Sequence, residues 1–312
     1  MRRPQLEDDI VFETVRSIVI AEWENVVFGQ YLTVLIGSAN PYPQGHLSYD
    51  ASVDPSITNA FATAAFRYGH TLIQGLNELF SVPDNAPLGP VDLKVSFFNS
   101  TVYEQEDGAG NDQLLNGQLR QPARQFDQAI AFAVTNFLFA NQEEGMGSDL
   151  AARNINRARD HGIPGYTAYR DLCGLSKVCS FDDRPPEITE TAWHQLKSIY
   201  ANPQDIDLFV GGIAEESAHG GTLGATFACI VGLQFTRLIQ GDRFFFTHSA
   251  PHHPHPFTED QKKLIKARNM GDIICDTTQL SEVRENVFLL ESPFKSCEQS
   301  TKLDVEAFLQ HL

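Results

Sequence analysis

The chain has 312 residues, 42% of them hydrophobic, which is enough to bury a large core. Forty acidic residues against 23 basic ones give a formal net charge of −17, which argues against nucleic acid or an anionic membrane surface as the main partner. The most apolar stretch, residues 225–235, is too short for a transmembrane helix. Residues 1–9 are basic and then acidic, so they do not predict a signal peptide.

Apolar residues recur at helical spacing along most of the chain. From Ile10 to about Phe28 they form a face so broad that it predicts a buried helix. Strand signals are short and few, and residues 82–91 have the composition of a loop. The sequence therefore predicts a mainly α fold, with further helices over residues 55–80, 121–139, 149–162, 190–200 and 226–239.

One candidate site lies in the predicted helix 55–80, whose start is indicated by Asp54 and Pro55. Arg67 and His70 are three residues apart there and share a helical face, with the apolar Phe66 and Ile73 beside it. The imidazole of His70 could ligate the iron of a porphyrin while the guanidinium of Arg67 meets a propionate. The same spacing also fits a hydrogen-bonded histidine of the core.

A second candidate site lies in a later predicted helix, which has Ser148-Asp149 as its N-cap and is ended by Gly162 and Pro164. Asn154 and Arg157 are three residues apart and share one inward stripe, where unpaired polar groups would be costly. They either brace the helix through hydrogen bonds or belong to a site. We interpret residues 159–161 as structural, with Asp160 pairing with Arg159 or Arg170.

Taken together, two segments of the chain resemble the signature segments of the animal haem peroxidase family. They are Phe66-Arg67-Tyr68-Gly69-His70 and Asn154-Ile155-Asn156-Arg157-Ala158-Arg159-Asp160-His161-Gly162-Ile163-Pro164-Gly165-Tyr166. Further matching segments follow in the family's order through nearly all 312 residues. The resemblance implies one partial, mainly α peroxidase-like domain over residues 1–312, incomplete on its N-terminal, distal side.

The resemblance also implies roles for the candidate residues. His70 would be the axial ligand of the iron of haem b, Asn154 would bond to its ring N–H, and Arg157 would meet a haem propionate, as we expect for Arg67. An acceptor on the far ring nitrogen fixes the tautomer and strengthens the imidazole as a ligand. The family's distal histidine and arginine and its calcium-binding loop would lie N-terminal to this chain. His46 lacks the family's surrounding residues, so the sequence identifies no catalytic residue.

The resemblance implies that the function is oxidation of a halide, phenol or tyrosine by hydrogen peroxide. The partners would then be hydrogen peroxide and a small reducing substrate. The family's extracellular location agrees with the glycosylation sequence Asn99-Ser100-Thr101. The family's pattern also implies disulfides Cys173–Cys229 and Cys275–Cys297, with Cys179 unpaired.

The sequence leaves two alternatives to a peroxidase. The chain could be a catalytically incomplete haem binder, or a haem-free matrix or adhesion module on the same fold. Alternatively, four histidines within eight positions could hold zinc or copper, although prolines interrupt their spacing; they are His248, His252, His253 and His255.

Overall fold

The computed structural model describes residues 7–42, 47–82, 84–104, 109–140 and 145–309. His46, a histidine considered as a catalytic candidate, and the first six residues, on which the signal-peptide prediction partly rests, lie outside this range. The chain divides into two compact units, a terminal unit of residues 1–33, 41–55 and 236–312 and a central unit of residues 34–40 and 56–235. The single-domain organisation stays a prediction.

Helices dominate the described residues, which confirms the prediction of a mainly α fold. The α-helices are α1 (Asp8–Val26), α2 (Leu32–Ile36), α3 (Asn59–Thr63), α4 (Leu93–Ser96), α5 (Thr101–Glu104), α6 (Gly110–Arg120), α7 (Phe132–Asn136), α8 (Leu150–Asp160), α9 (Tyr166–Leu172), α10 (Glu190–Ile199), α11 (Leu208–Ala214), α12 (Ala225–Gly241), α13 (Glu259–Lys266), α14 (Met270–Thr277) and α15 (Glu306–Leu309). A π-helix covers Val27–Tyr31, and 3-10 helices cover Gly37–Ala39, Ala65–Thr71, Pro203–Asp205 and Cys297–Gln299. None of the described helices combines the length and the low polarity that crossing a bilayer requires.

Two short antiparallel ribbons complete the regular structure. Strands β1 (Leu76–Phe80) and β2 (Pro87–Asp92) pair in the central unit, and β3 (Glu282–Arg284) and β4 (Phe294–Ser296) pair in the terminal unit. The first ribbon contradicts both the helix predicted over 55–80 and the loop predicted over 82–91. The side chain of Gln121 bonds to the backbone of Leu76 and Glu78, so contacts from distant segments override the local helical pattern.

The predicted histidine helix is also interrupted before the ribbon. Its only α-helical part is α3, which begins after Thr58 instead of at Asp54. Ala64, with φ −137° and ψ −70°, ends α3, and Ala65–Thr71 continues as a 3-10 helix. His70 therefore lies on a 3-10 helix and not on an α-helix.

Two other helix predictions are corrected. Of residues 121–139 only α7 is α-helical. Gln121 adopts an extended conformation, and the N–H of Arg124 then donates to the carbonyl of Leu72, which lies just before the ribbon. The α1 helix exists, but only one side of it is buried, through residues such as Ile18 and Ala21. Large apolar residues on its other side are exposed, namely Phe12, Val15, Val19 and Trp23.

Helix α8 follows its prediction closely. The side chain of Asp149 accepts hydrogen bonds from the N–H groups of Ala151 and Ala152, and Gly162, with φ +62°, ends the helix. The pairing expected of Asp160 is wrong. Arg159 instead donates two hydrogen bonds to Asp207, at 2.8 and 2.7 Å, because the fold brings α11 against α8.

A buried ion pair holds α9 to the start of α12 in the central unit. Arg170 is fully buried, and its Nη1 lies 3.1 Å from Oε1 of Glu215 and 2.9 Å from Oε2 of Glu187. Both carboxylate oxygens of Glu215 also accept hydrogen bonds, from the hydroxyls of Tyr166 and Thr226 and from the N–H of Thr226. Each buried charge thus has several partners, which offsets the cost of its desolvation.

The cysteine pairing implied by the family resemblance is confirmed. Disulfides join Cys173 to Cys229 and Cys275 to Cys297, and Cys179 is free and exposed. The loops that they close span 56 and 22 residues, and closure of loops of this size stabilises a fold by about 3 to 4 kcal/mol each.

The histidine-rich segment of the terminal unit does not form a metal site among the described residues. The two ring nitrogens of His248 face the carbonyl oxygens of Asp242 and Leu47, and Nδ1 of His253 accepts from the N–H of His255. No group of three or more His, Cys, Asp or Glu side chains in the described ranges is placed to hold a metal ion.

Glu215→Ala would leave Arg170 buried without its main partner, so we expect it to lower the free energy of unfolding by about 3 to 5 kcal/mol. The matched control is Lys197→Ala, which removes an exposed ion pair with Asp182 and should cost about 1 kcal/mol or less. Urea unfolding followed by the fluorescence of Trp193, which is buried in the central unit, measures both. Equal costs for the two variants would contradict this account.

Candidate functional site

The 3-10 helix Ala65–Thr71 positions Arg67 and His70. Because a 3-10 helix has three residues per turn, side chains at i and i+3 lie directly above one another. Arg67 and His70 therefore share a side, as the sequence predicted for a different type of helix. Tyr68 and Thr71, one third of a turn away, are buried, and the hydroxyl of Thr71 donates to the carbonyl of Tyr68 at 2.8 Å.

The structure brings the two signature segments into direct contact through His70 and Asn154. Nδ1 of His70 lies 2.9 Å from the amide nitrogen of Asn154, across 84 residues of sequence. Asn154 is fully buried on α8, and α8 packs against α3, the helix that leads to His70. A second contact between these elements joins Nδ1 of His161 to Oδ1 of Asn59 at 3.2 Å. Position and burial of the amide are thus determined by helix packing.

The direction of the bond between Asn154 and His70 differs from the one predicted. Nη1 of Arg67 donates to the amide oxygen of Asn154 at 3.0 Å, so the amide nitrogen faces the imidazole. In this arrangement the amide donates to Nδ1, and the ring proton resides on Nε2. An accepting role for Asn154 stays a prediction.

The other edge of the imidazole is open. His70 is only half-buried, and its Nε2 makes no hydrogen bond to any residue in the described ranges. Burial lowers the pKa of His70, and the charge of Arg67 lowers it further. The imidazole is therefore neutral at pH 7, and in this arrangement its lone pair is on Nδ1 and its proton on Nε2.

Arg67 places positive charge beside this imidazole, and Arg157 places a second charge near Arg67. Nε of Arg67 donates to the carbonyl of Ala62 at 2.9 Å. Burial lowers the pKa of Arg67, and repulsion from Arg157 lowers it further. Arg157 is exposed, which corrects the expectation that it points inward with Asn154. The buried side of α8 is narrower than that expectation required. Within the described residues neither arginine forms an ion pair with a carboxylate, so the pair favours an anionic ligand.

Aromatic rings back the histidine segment. The ring of Phe66 stacks on that of Phe61 at 4.4 Å and contacts Phe235 at 6.0 Å, while Ile73 packs on a small core cluster around Val134. Sequence reasoning missed Phe61, Phe235 and the carbonyl of Ala62. No sequence signal marks a backbone carbonyl as the anchor of a guanidinium, and the two phenylalanines have the sequence pattern of ordinary core residues.

The residues present fit an iron porphyrin. A neutral imidazole can ligate iron through Nε2 once its ring proton is on Nδ1, and two cations without carboxylate partners among the described residues suit two propionates. The three polar groups closest to each other, Arg67, His70 and Asn154, all belong to the central unit. The hydrogen bonds among these three side chains therefore lie within one compact unit.

Comparison with known proteins agrees with this fit. Residues 1–288 match the family model described as animal haem peroxidase. Peroxidasin of Drosophila melanogaster is 36% identical over 304 residues, which cover 94% of this chain and 19% of that protein. Myeloperoxidase of Mus musculus is 33% identical over 318 residues, covering 98% of this chain and 43% of that protein. The chain thus spans less than half the length of either relative.

Solved structures show the same relationship at the level of the fold. Peroxidase A of Dictyostelium discoideum superposes with a TM-score of 0.76 at 31% identity, over 91% of this chain and 52% of that one. A fatty acid alpha-dioxygenase of Arabidopsis thaliana superposes with a TM-score of 0.69 at 16% identity, over 96% of this chain and 54% of that one, and so shares the fold alone. On the family match and the identity to these peroxidases, the chain belongs to the animal haem peroxidase family.

Proposed function

We propose that the chain binds haem b, with Nε2 of His70 as the axial ligand of the iron and with Arg67 and Arg157 on the propionates. The observation that carries this proposal is the contact between His70 and Asn154, which engages Nδ1 of the imidazole and leaves Nε2 without a hydrogen bond to any described residue. A hydrogen-bonded core histidine, the alternative interpretation, would use both ring nitrogens or bury them.

Ligation through Nε2 places a requirement on Asn154. The ring proton must move to Nδ1, so an acceptor must face Nδ1. Asn154 meets this requirement when its amide turns and presents the oxygen to the ring. Arg67, which holds that oxygen at 3.0 Å, must then release it, and a propionate offers its guanidinium a charged partner in exchange. The anionic ligand and the axial bond therefore support one another.

We propose further that the protein acts as a peroxidase, in which hydrogen peroxide is the oxidant and a halide, phenol or tyrosine the reducing substrate. When bound, haem supplies the redox chemistry, while His70 and Asn154 hold the proximal side of the group. Relatives named as peroxidases support this activity. Because the chain spans less than half the length of the peroxidasin and the myeloperoxidase, the activity of the whole protein is part of the proposal, as is its extracellular location.

A second candidate function is haem binding without turnover, or a haem-free module of the extracellular matrix. It is favoured by the content of the candidate site, where the described residues include the proposed axial ligand but no group to which we assign movement of the peroxide proton. The two functions differ in one measurement. A haem-loaded chain that oxidises a phenol with hydrogen peroxide is a peroxidase, and a chain that binds haem without this activity is a binding module.

His70→Ala removes the proposed iron ligand, so we expect haemin added to this variant to lack the absorbance bands of histidine-ligated haem. Asn154→Ala keeps the ligand but loses its support, and its haem affinity should fall about 10- to 100-fold. The control is His194→Ala, which removes an exposed histidine of α10 in the same unit and should titrate like the wild type. Unchanged spectra in His70→Ala would rule out the axial role.

If Arg67 and Arg157 bind propionates, then Arg67→Leu and Arg157→Leu should each weaken haem binding about tenfold or more, as expected for one lost charge-assisted bond. Neither substitution should weaken binding of the haem dimethyl ester, which lacks the two carboxylates. Arg153→Leu, an exposed arginine of the same helix bonded to Ser148, serves as the control. Equal losses of affinity for haem and for its dimethyl ester would show that the arginines do not act through the propionates.

The chain without haem should show a depressed pKa for His70, because burial and Arg67 both lower it. Arg67→Leu removes one of these causes and should raise the pKa toward its usual range. The folded state resists protonation of this ring. The contribution of His70 to stability is therefore present above the ordinary pKa of 6.5 and is lost as the pH falls below it. Titration of the His70 ring proton by NMR measures the effect, with Arg153→Leu as control. A lower pKa in Arg67→Leu would contradict it.

A further inference from the structure

Two exposed phenylalanines of the central unit are held in an unusual backbone conformation. Phe98 is 84% exposed and Phe139 is 54% exposed, and their ring centroids lie 5.7 Å apart. Both residues have φ of +57°, a left-handed conformation that is rare for bulky side chains. Exposed aromatic surface that is kept in spite of such strain indicates that another group covers it.

The residue next to Phe98 is the asparagine of the glycosylation sequence. The N–H of Asn99 donates to the carbonyl of Ser96 at 3.1 Å, and Phe97 has φ −60° and ψ 129°. These values describe a type II turn over residues 96–99 with Phe98 at its third position. The turn therefore places the exposed ring and the asparagine side by side on the surface.

The side chain of Asn99 has one free end. Its oxygen accepts hydrogen bonds from the N–H of Thr101 at 3.0 Å and from the hydroxyl of Thr101 at 2.7 Å. Its amide nitrogen makes no hydrogen bond to any residue in the described ranges. The threonine of the sequence thus engages the oxygen and leaves the nitrogen available, while Ser100 between them is exposed.

We propose that Nδ2 of Asn99 carries an N-linked glycan whose first sugar ring lies on Phe98 and covers the Phe98–Phe139 pair. The inference rests on the proposed passage through the secretory pathway. A lipid-linked oligosaccharide is the donor. The N–C bond forms between Nδ2 and the anomeric carbon, the bond from that carbon to the pyrophosphate oxygen breaks, and one amide proton leaves. The C–H face of the sugar then shields the rings, and its hydroxyls face water.

Attachment is tested with the full chain fused to a secretion leader and produced in insect cells treated to keep glycans of the high-mannose type. We expect wild-type protein to lose mass with a peptide N-glycosidase, and Asn99→Gln and Thr101→Ala to show no such loss. Ser100→Ala is the matched control, because it keeps the acceptor sequence and should still lose mass. Secreted wild-type protein without glycan at Asn99 would overturn the proposal.

Packing of the first sugar is tested by comparing two enzymatic treatments of the folded protein. An endoglycosidase that leaves one sugar on Asn99 should preserve the melting temperature, whereas a peptide N-glycosidase that removes this sugar should lower it. In Phe98→Ala the two treatments should give the same melting temperature, because the ring that the sugar contacts is gone. An equal difference between treatments in wild type and Phe98→Ala would overturn the proposed packing. Haem titration of the same samples tests the proposed function separately.

Discussion

The contact between Asn154 and His70 is the constraint on which the rest of the site depends. An amide that is fully buried must have partners at both of its ends, and His70 satisfies the nitrogen while Arg67 satisfies the oxygen. The packing of α8 on α3 is what delivers the amide to this position. The two signature segments are thus parts of one hydrogen-bonded unit, although they are 84 residues apart.

The charges of this unit suit the anionic, metal-containing ligand that we propose. Arg67 is bound by one carbonyl and one amide oxygen, neither of which neutralises its charge, and Arg157 adds a second cation nearby. Burial and the charge of Arg67 keep the imidazole neutral by lowering its pKa. Arg67 therefore helps to lower the pKa of His70, sets the orientation of Asn154 and has a charge that a carboxylate could neutralise.

The sequence predicted those features that depend on neighbouring residues. Helical periodicity indicated the mainly α fold, and the Asp149 cap and Gly162 defined both ends of α8. Features that depend on distant residues could not be predicted in this way. The β1–β2 ribbon forms because β2 and Gln121 supply partners to β1, and Arg159 pairs with Asp207 only because α11 meets α8. In the site, the sequence predicted the four residues, but the bond of Arg67 to Asn154 required the structure.

The identity of the iron ligand can be measured by resonance Raman spectroscopy of the reduced haem complex of the whole chain. The account predicts an iron–imidazole stretching band in the wild type, its absence in His70→Gly, and its return when free imidazole is added to that variant. A band that persists in His70→Gly without added imidazole would show that another residue ligates the iron, and would contradict the account.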